Sequence, residues 1–205
     1  MRLIAEVGQA HDGSLGQAHS FIDACADNGI KEIKFQTHIA DAESSKYEPF
    51  RTKFSYEDST RKDYWKRMEF TENQWRELKK HCEIKNINFL STATCIASAE
   101  LLINIGCKNI KIGSGDFNNN LLIDFCTKHF EEIIFSTGLC TKNEIKTMIN
   151  RSKNYNYELK SWFFSCNTKY PTPINETNIG NLKYIRENFN GHIGHSDHTA
   201  NKNAL

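Results

Sequence analysis

The chain has 205 residues, enough for one well-buried domain and too few for two comfortable ones. Its 26 Lys and Arg against 25 Asp and Glu leave a net charge of +1. That balance excludes an extended positive field for nucleic acid or for an anionic membrane, so any anion it binds is small and locally held.

The opening MRLIAEVGQAHDG carries one Arg and a brief apolar run. It reads neither as a secretory signal nor as a membrane span, and the expected location is the cytoplasm. The seven cysteines are odd in number and contain no C-x-x-C pair. They read as small buried hydrophobes rather than as disulfides or zinc ligands.

Short apolar runs at residues 3–7, 32–36, 87–92, 110–113, 133–136, 162–166 and 192–194 predict strands of a sheet buried on both faces. Amphipathic stretches lie between them. Leu15, Ala18, Ile22 and Cys25 form the face of a first helix, opened near Asp12 and Ser14 and stopped at Asn28-Gly29. TENQ at 71–74 and TKNE at 141–144 carry capping-box patterns. Leu101, Leu102 and Ile105 mark another helix, as do Leu121, Leu122 and Phe125, and then Ile179, Leu182, Ile185 and Phe189. Residues 37–70 break the rhythm: charged, yet bearing Tyr47, Phe50, Phe54, Tyr56, Tyr64 and Trp65, they read as a long lid or binding loop, or else as a partly ordered excursion whose aromatics pack on the rim of the fold.

Strict alternation of strand and helix implies a parallel sheet with right-handed crossovers, either an open doubly wound sheet or a (β/α)8 barrel. Periodicity does not separate the two. The polar motifs favour the barrel, because nearly every one follows a strand, where barrels build their active sites. In order they offer Glu6 and His11; Lys34, Gln36 and His38; Ser91 and Thr92; Lys111, Ser114, Asp116 and Asn118; Ser136 and Thr137; Asn167, Thr168 and Tyr170; and Ser196, Asp197 and His198. Two lysines among hydroxyls and glycine-flanked turns suit a small, multiply charged anion.

The ordered stretches IAEVGQAHDGSLGQA, IKFQTH, FLSTATC, KIGSGDFNN, STGLCTKNEI, YPTP and GHSDHT resemble the sialic acid synthase family, the N-acetylneuraminate synthases, over essentially the whole chain. The resemblance implies a TIM-type (β/α)8 barrel and the condensation of phosphoenolpyruvate with an N-acetylated aldose, such as N-acetylmannosamine, to a nonulosonic acid with release of phosphate. It implies that Lys34, Thr92, Lys111, Ser114, Ser136 and Ser196 bind phosphoenolpyruvate, that Thr168 is a substrate-binding position where relatives show Ser or Asn, and that Gln36, Glu6 and Tyr170 face the sugar and the attacking water. Glu6, Asp116 and Tyr170 become the catalytic candidates, and His198 a ligand of Mn2+ or Mg2+. His192 and His195 are expected only to pack or to face solvent.

The chain departs from the family pattern at Asp116, where relatives carry Glu. The shorter side chain withdraws its carboxylate by roughly 1.5 Å. The last barrel strand with its second metal histidine, and the antifreeze-like domain through which family homodimers swap a sugar-site arginine, are expected to be missing. That reading makes residues 1–205 an incomplete barrel from a longer frame or a truncated gene product. A non-catalytic fragment or partner subunit that retains anion binding is the alternative function.

Overall fold

A computed structural model describes residues 2–50 and 55–201. The chain divides after Cys107 into two compact units. All seven predicted strands form, with boundaries shifted by one or two residues.

In the first unit, β1 (Ala5–Gly8), β2 (Glu32–Thr37) and β3 (Asn88–Ala93) pair in parallel in that order. The register brings Glu6 beside Lys34 and Gln36 beside Thr92, with an irregularity in β1 between Glu6 and Gly8. Helix α1 (Leu15–Asp27) starts where the Ser14 hydroxyl accepts the Gln17 N–H, and Gly29 behind it adopts φ +72°. Its Ala18 and Ile22 are fully buried.

The segment 37–70, read as a long lid or binding loop, carries helices of its own. It contains α2 (Ala40–Glu43) and α3 (Arg61–Met68), and α3 opens on a capping box of Thr60 with Asp63. Arg67 ties α3 down, 2.8 Å from Asp58 and 2.6 Å from Asp12 of the turn after β1. Arg67 also holds the buried Asp58 carboxyl below the usual range. Of the aromatics there, Tyr64 is buried and Trp65 stacks on His38, whereas Tyr47 and Tyr56 are exposed and Phe54 lies outside the described residues. Helices α4 (Glu72–Ile84), with its Thr71–Gln74 box, and α5 (Ile96–Asn104) complete the unit. Its core is built on Phe35, Trp75, Leu78 and Leu90, all fully buried. Each such side chain contributes about 2–3 kcal/mol.

In the second unit, β4 (Asn109–Ile112), β5 (Glu132–Ser136), β6 (Ser161–Cys166) and β7 (His192–Ser196) also pair in parallel and in order. A one-turn 3-10 helix (Ser114–Asp116), then α6 (Asn120–His129), α7 (Lys142–Asn154) with its Thr141–Glu144 box, and α8 (Asn181–Asn188) connect them. Phe117, Phe135 and Phe163 meet edge-on or tilted in the core. β7 departs from the prediction of strands buried on both faces: none of its residues is buried, and among the described residues it pairs with β6. The repeated strand–helix units, every strand pair parallel, are those of an incomplete (β/α)8 barrel of TIM type. Among the described residues, no helix is long and apolar enough to cross a membrane.

Candidate functional site

In the first unit, the strand ends gather Lys34, Glu6 and Thr92. Lys34, on the fully paired central strand β2, is only 2% exposed, and its ammonium lies 2.6 Å from a Glu6 carboxylate oxygen. It donates to the Thr92 hydroxyl at 2.9 Å and reaches the Phe35 carbonyl at 3.4 Å. A buried ammonium is tolerable only when its protons are used, and here all three are. The Glu6 side chain is 43% exposed, so it is the partner that can leave. Gln36, half-buried two residues on, accepts a hydrogen bond from the Gln9 amide at 3.0 Å.

His11, read as a strand-end polar residue, is fully enclosed against Phe70, and its Nδ1 accepts the Gly13 N–H. Burial, with the neighbouring His38, pushes its pKa down to about 4. This neutral imidazole packs the turn after β1.

In the second unit, Lys111 on β4 reaches the Ser196 hydroxyl on β7 at 3.4 Å, and its ammonium stands 5.9 Å from the Phe164 ring centre. Ser196 is itself a strand residue, so β7 lends a side chain from within the strand and not only from beyond it. Ser114, Cys166 and Thr168 crowd around Gly138: a Cβ there would sit 3.1, 2.7 and 2.9 Å from them. The Gly138 N–H donates to the Ser114 hydroxyl oxygen at 2.9 Å. Ser136 is buried at the end of β5. Asp116 ends the 3-10 turn and accepts from the Asn119 amide at 3.3 Å.

His198 lies beyond β7 with its Nδ1 bonded to the Asn167 carbonyl, and the Tyr170 ring is 4.3 Å away, just before a cis Tyr170–Pro171 bond. Donation of Nδ1–H to that carbonyl fixes the tautomer in which Nε2 carries the lone pair. Among the described residues, however, no group of three or more His, Cys, Asp or Glu side chains could hold a metal ion. His192 is exposed and stacks on Trp162 at 4.3 Å, in keeping with a packing role. His195 is half-buried, and burial lowers its pKa.

Sequence reasoning passed over Gln9 and Glu43 and named Tyr64 only as one aromatic of the 37–70 segment, yet these three bond with one another or with His38 and Gln36. Their signal was faint: a Gln after a strand, and a Glu and a Tyr inside the segment read as a loop. Cys95, read only as a small hydrophobe, caps α5 in a box with Ser98. All seven cysteines are free thiols, and burial pushes those of Cys82, Cys107, Cys126 and Cys140 up to about 12.

Comparison with known proteins gives this geometry a family. The chain is 32% identical over 201 residues to N,N'-diacetyllegionaminic acid synthase of Campylobacter jejuni, covering 96% of this chain and 60% of that protein. It is 26% identical over 200 residues to the N-acetylneuraminate-9-phosphate synthase of Homo sapiens, covering 96% of this chain and 55% of that one. Its fold superposes on the N-acetylneuraminic acid synthetase of Leptospira borgpetersenii, solved in complex with citrate, with a TM-score of 0.82 and 26% identity over 97% of this chain and 65% of that chain. The chain thus spans less than two thirds of the length of these relatives. The family model for NeuB matches residues 21–205, and the chain belongs to the NeuB family.

Proposed function

We propose that the chain carries the chemistry of a phosphoenolpyruvate-dependent synthase that makes a nonulosonic acid from an N-acetylated aldose. C3 of phosphoenolpyruvate forms a bond to the aldehyde carbon of the open-chain sugar. Water adds at C2, and phosphate leaves by C–O cleavage, while the former aldehyde oxygen takes a proton and becomes a hydroxyl.

The observation that carries this reading is the buried Lys34 ammonium, held by the movable Glu6 and by Thr92 at the strand ends of the first unit. A buried cation whose counter-ion is half-exposed accepts an incoming anion by exchange. In the second unit, Lys111 with Ser196, and Ser114 with the Gly138 N–H, offer the same donor chemistry. Ser136 and Thr168 add hydroxyls for phosphate or carboxylate. The citrate of the Leptospira relative, a multiply charged carboxylate, is in keeping with anion binding in this fold. Glu6 and Asp116 are the carboxylates available for proton transfer. In the second unit Tyr170, 73% exposed, offers a phenol to a ligand from solvent. Of a divalent metal, Mn2+ or Mg2+, the described residues account for one ligand, Nε2 of His198. Seven free thiols support a reducing compartment, the cytoplasm.

The test is phosphate release from phosphoenolpyruvate in the presence of Mn2+ and either N-acetylmannosamine or the diacetamido sugar that leads to legionaminic acid. Release that requires one of the sugars supports the synthase. Phosphoenolpyruvate binding without release under any of these conditions supports the anion-binding alternative.

A further inference from the structure

Gln36 is bounded on one side by a chain of hydrogen bonds between side chains of β2 and of the segments around it. The Tyr64 hydroxyl donates to Oε1 of Gln9 at 2.7 Å, which turns the Gln9 NH2 toward β2. That NH2 lies 3.0 Å from Oε1 of Gln36 and 3.3 Å from Nε2 of His38. His38 in turn has Nδ1 at 2.7 Å from Oε1 of Glu43.

One assignment of protons satisfies the four links just given. Glu43 accepts from Nδ1–H of His38, so Nε2 of His38 is an acceptor; one Gln9 proton goes there and the other to Gln36, and the 3.3 Å approach of Nε2 of His38 to Oε1 of Gln36 is then a contact of two acceptors that share the Gln9 NH2 as donor. Under this assignment Oε1 of Gln36 is occupied from behind, and its NH2 faces the other way. There it borders Gly8, where a Cβ would lie 3.6 Å from Nε2 of Gln36 and 3.3 Å from Oε1 of Glu6. Tyr64 and His38 are 8% and 4% exposed, and the His38 ring stacks on Trp65 at 4.1 Å, so the chain is held by packing as well as by bonds.

We propose that Gln9, Tyr64, His38 and Glu43 are positioning residues that fix the Gln36 carboxamide as a hydrogen-bond donor on the face shared with Glu6. A donor amide beside an acceptor carboxylate is matched by a hydroxyl group, which accepts from one and donates to the other. The ligand group recognised there is therefore a hydroxyl of the aldose, and the 37–70 segment acts as the scaffold that sets the amide. This rests on the synthase reading for the identity of the ligand, though not for the existence of the relay.

Two variants test it. Tyr64→Phe keeps the ring and deletes the donor that orients Gln9, and Gln9→Glu replaces the NH2 that holds Gln36 with an oxygen that cannot donate. The Gln36 side-chain amide signals in a 15N correlation spectrum are assigned by their disappearance in Gln36→Leu. They are expected to shift and to exchange faster with solvent in both variants. In turnover, the sugar KM is expected to rise about fivefold for Tyr64→Phe, the equivalent of one neutral hydrogen bond, and more for Gln9→Glu, with the phosphoenolpyruvate KM within twofold of the parent.

Unchanged Gln36 amide signals in folded Tyr64→Phe overturn the relay. Shifted signals with an unchanged sugar KM overturn its role toward the ligand. If the parent releases no phosphate, the synthase reading fails, while the amide spectrum still decides the relay.

Discussion

Lys34→Met separates anion binding from stability in a single residue. The substitution keeps most of the apolar stem and removes the ammonium that meets Glu6 at 2.6 Å and Thr92 at 2.9 Å. Two groups lose a partner, and they differ in what that costs. The Glu6 carboxylate is 43% exposed and returns to water. The Thr92 hydroxyl belongs to a residue only 7% exposed and loses one bond, so the fold should weaken by about 1–2 kcal/mol. An anion that relies on the ammonium loses more, about 3 kcal/mol or roughly a hundredfold in affinity, because a desolvated charge contact is removed outright. Glu6→Gln should act in the opposite direction: with its counter-ion gone, Lys34 is left to the ligand, and phosphoenolpyruvate should bind several-fold more tightly even as turnover falls. Calorimetric titration at fixed ionic strength measures both variants, and urea unfolding measures the stability change beside it. If folded Lys34→Met binds phosphoenolpyruvate as the parent does, Lys34 serves Glu6 alone, and the anion site does not include it.

Other expectations follow from the same geometry. His11 titrates at about 4 when folded, against an ordinary 6.5. The unfolded chain therefore binds more protons between these values, and stability should fall by up to about 3 kcal/mol as pH drops through that window. Urea unfolding from pH 7 to pH 4 should show this slope, and His11→Asn should flatten it. Gly138→Ala would drive a methyl to within 2.7 Å of the Cys166 sulfur and 2.9 Å of Thr168. It should cost about 1–3 kcal/mol in thermal unfolding and weaken anion binding through the displaced Ser114. With one ligand among the described residues, Mn2+ should bind weakly, and His198→Ala should abolish what electron paramagnetic resonance detects while His195→Ala leaves it intact; the reverse pattern would show that the other imidazole is the ligand.

Much of the fold was legible because strands and caps are local signals. The runs that became β2 and β5 are short, rich in Ile and Phe, and paired on both sides or packed against helices, so their apolar character is continuous. The Thr71–Gln74 and Thr141–Glu144 boxes announce their helices within four residues. The helices within segment 37–70 were not legible for a physical reason. α3 has few apolar positions, so although the Thr60–Asp63 box is local, the helix shows little amphipathic periodicity, and the contact that anchors it to the turn after β1, Arg67 with Asp12, joins residues far apart in sequence. The strand β7 was predicted, but not its partial exposure: the apolar pattern of a run does not say whether both faces are covered, and a Cβ on its Gly194 would approach the Phe164 ring of β6 to 2.5 Å.

Site residues were legible as types and positions, but their pairings were not, and the pairings carry the chemistry. Sequence alone assigns Lys34 to an anion and Glu6 to a sugar as though the two were independent. The structure makes them one ion pair, so neither can act while the other is fully engaged. An anion taking its place beside Lys34 releases the Glu6 carboxylate, and the face that carboxylate borders at Gly8 also holds the Gln36 amide. Anion binding therefore prepares the acceptor for a sugar hydroxyl, which makes the order of binding a consequence of charge exchange. Phosphoenolpyruvate should tighten sugar binding, and by linkage the sugar should tighten phosphoenolpyruvate binding by the same factor. In Glu6→Gln that reciprocal factor should fall to one, since no carboxylate remains to be released. Titration of each ligand in the presence and absence of the other measures the factor, and a coupling that survives Glu6→Gln unchanged would rule out the ion pair as its source.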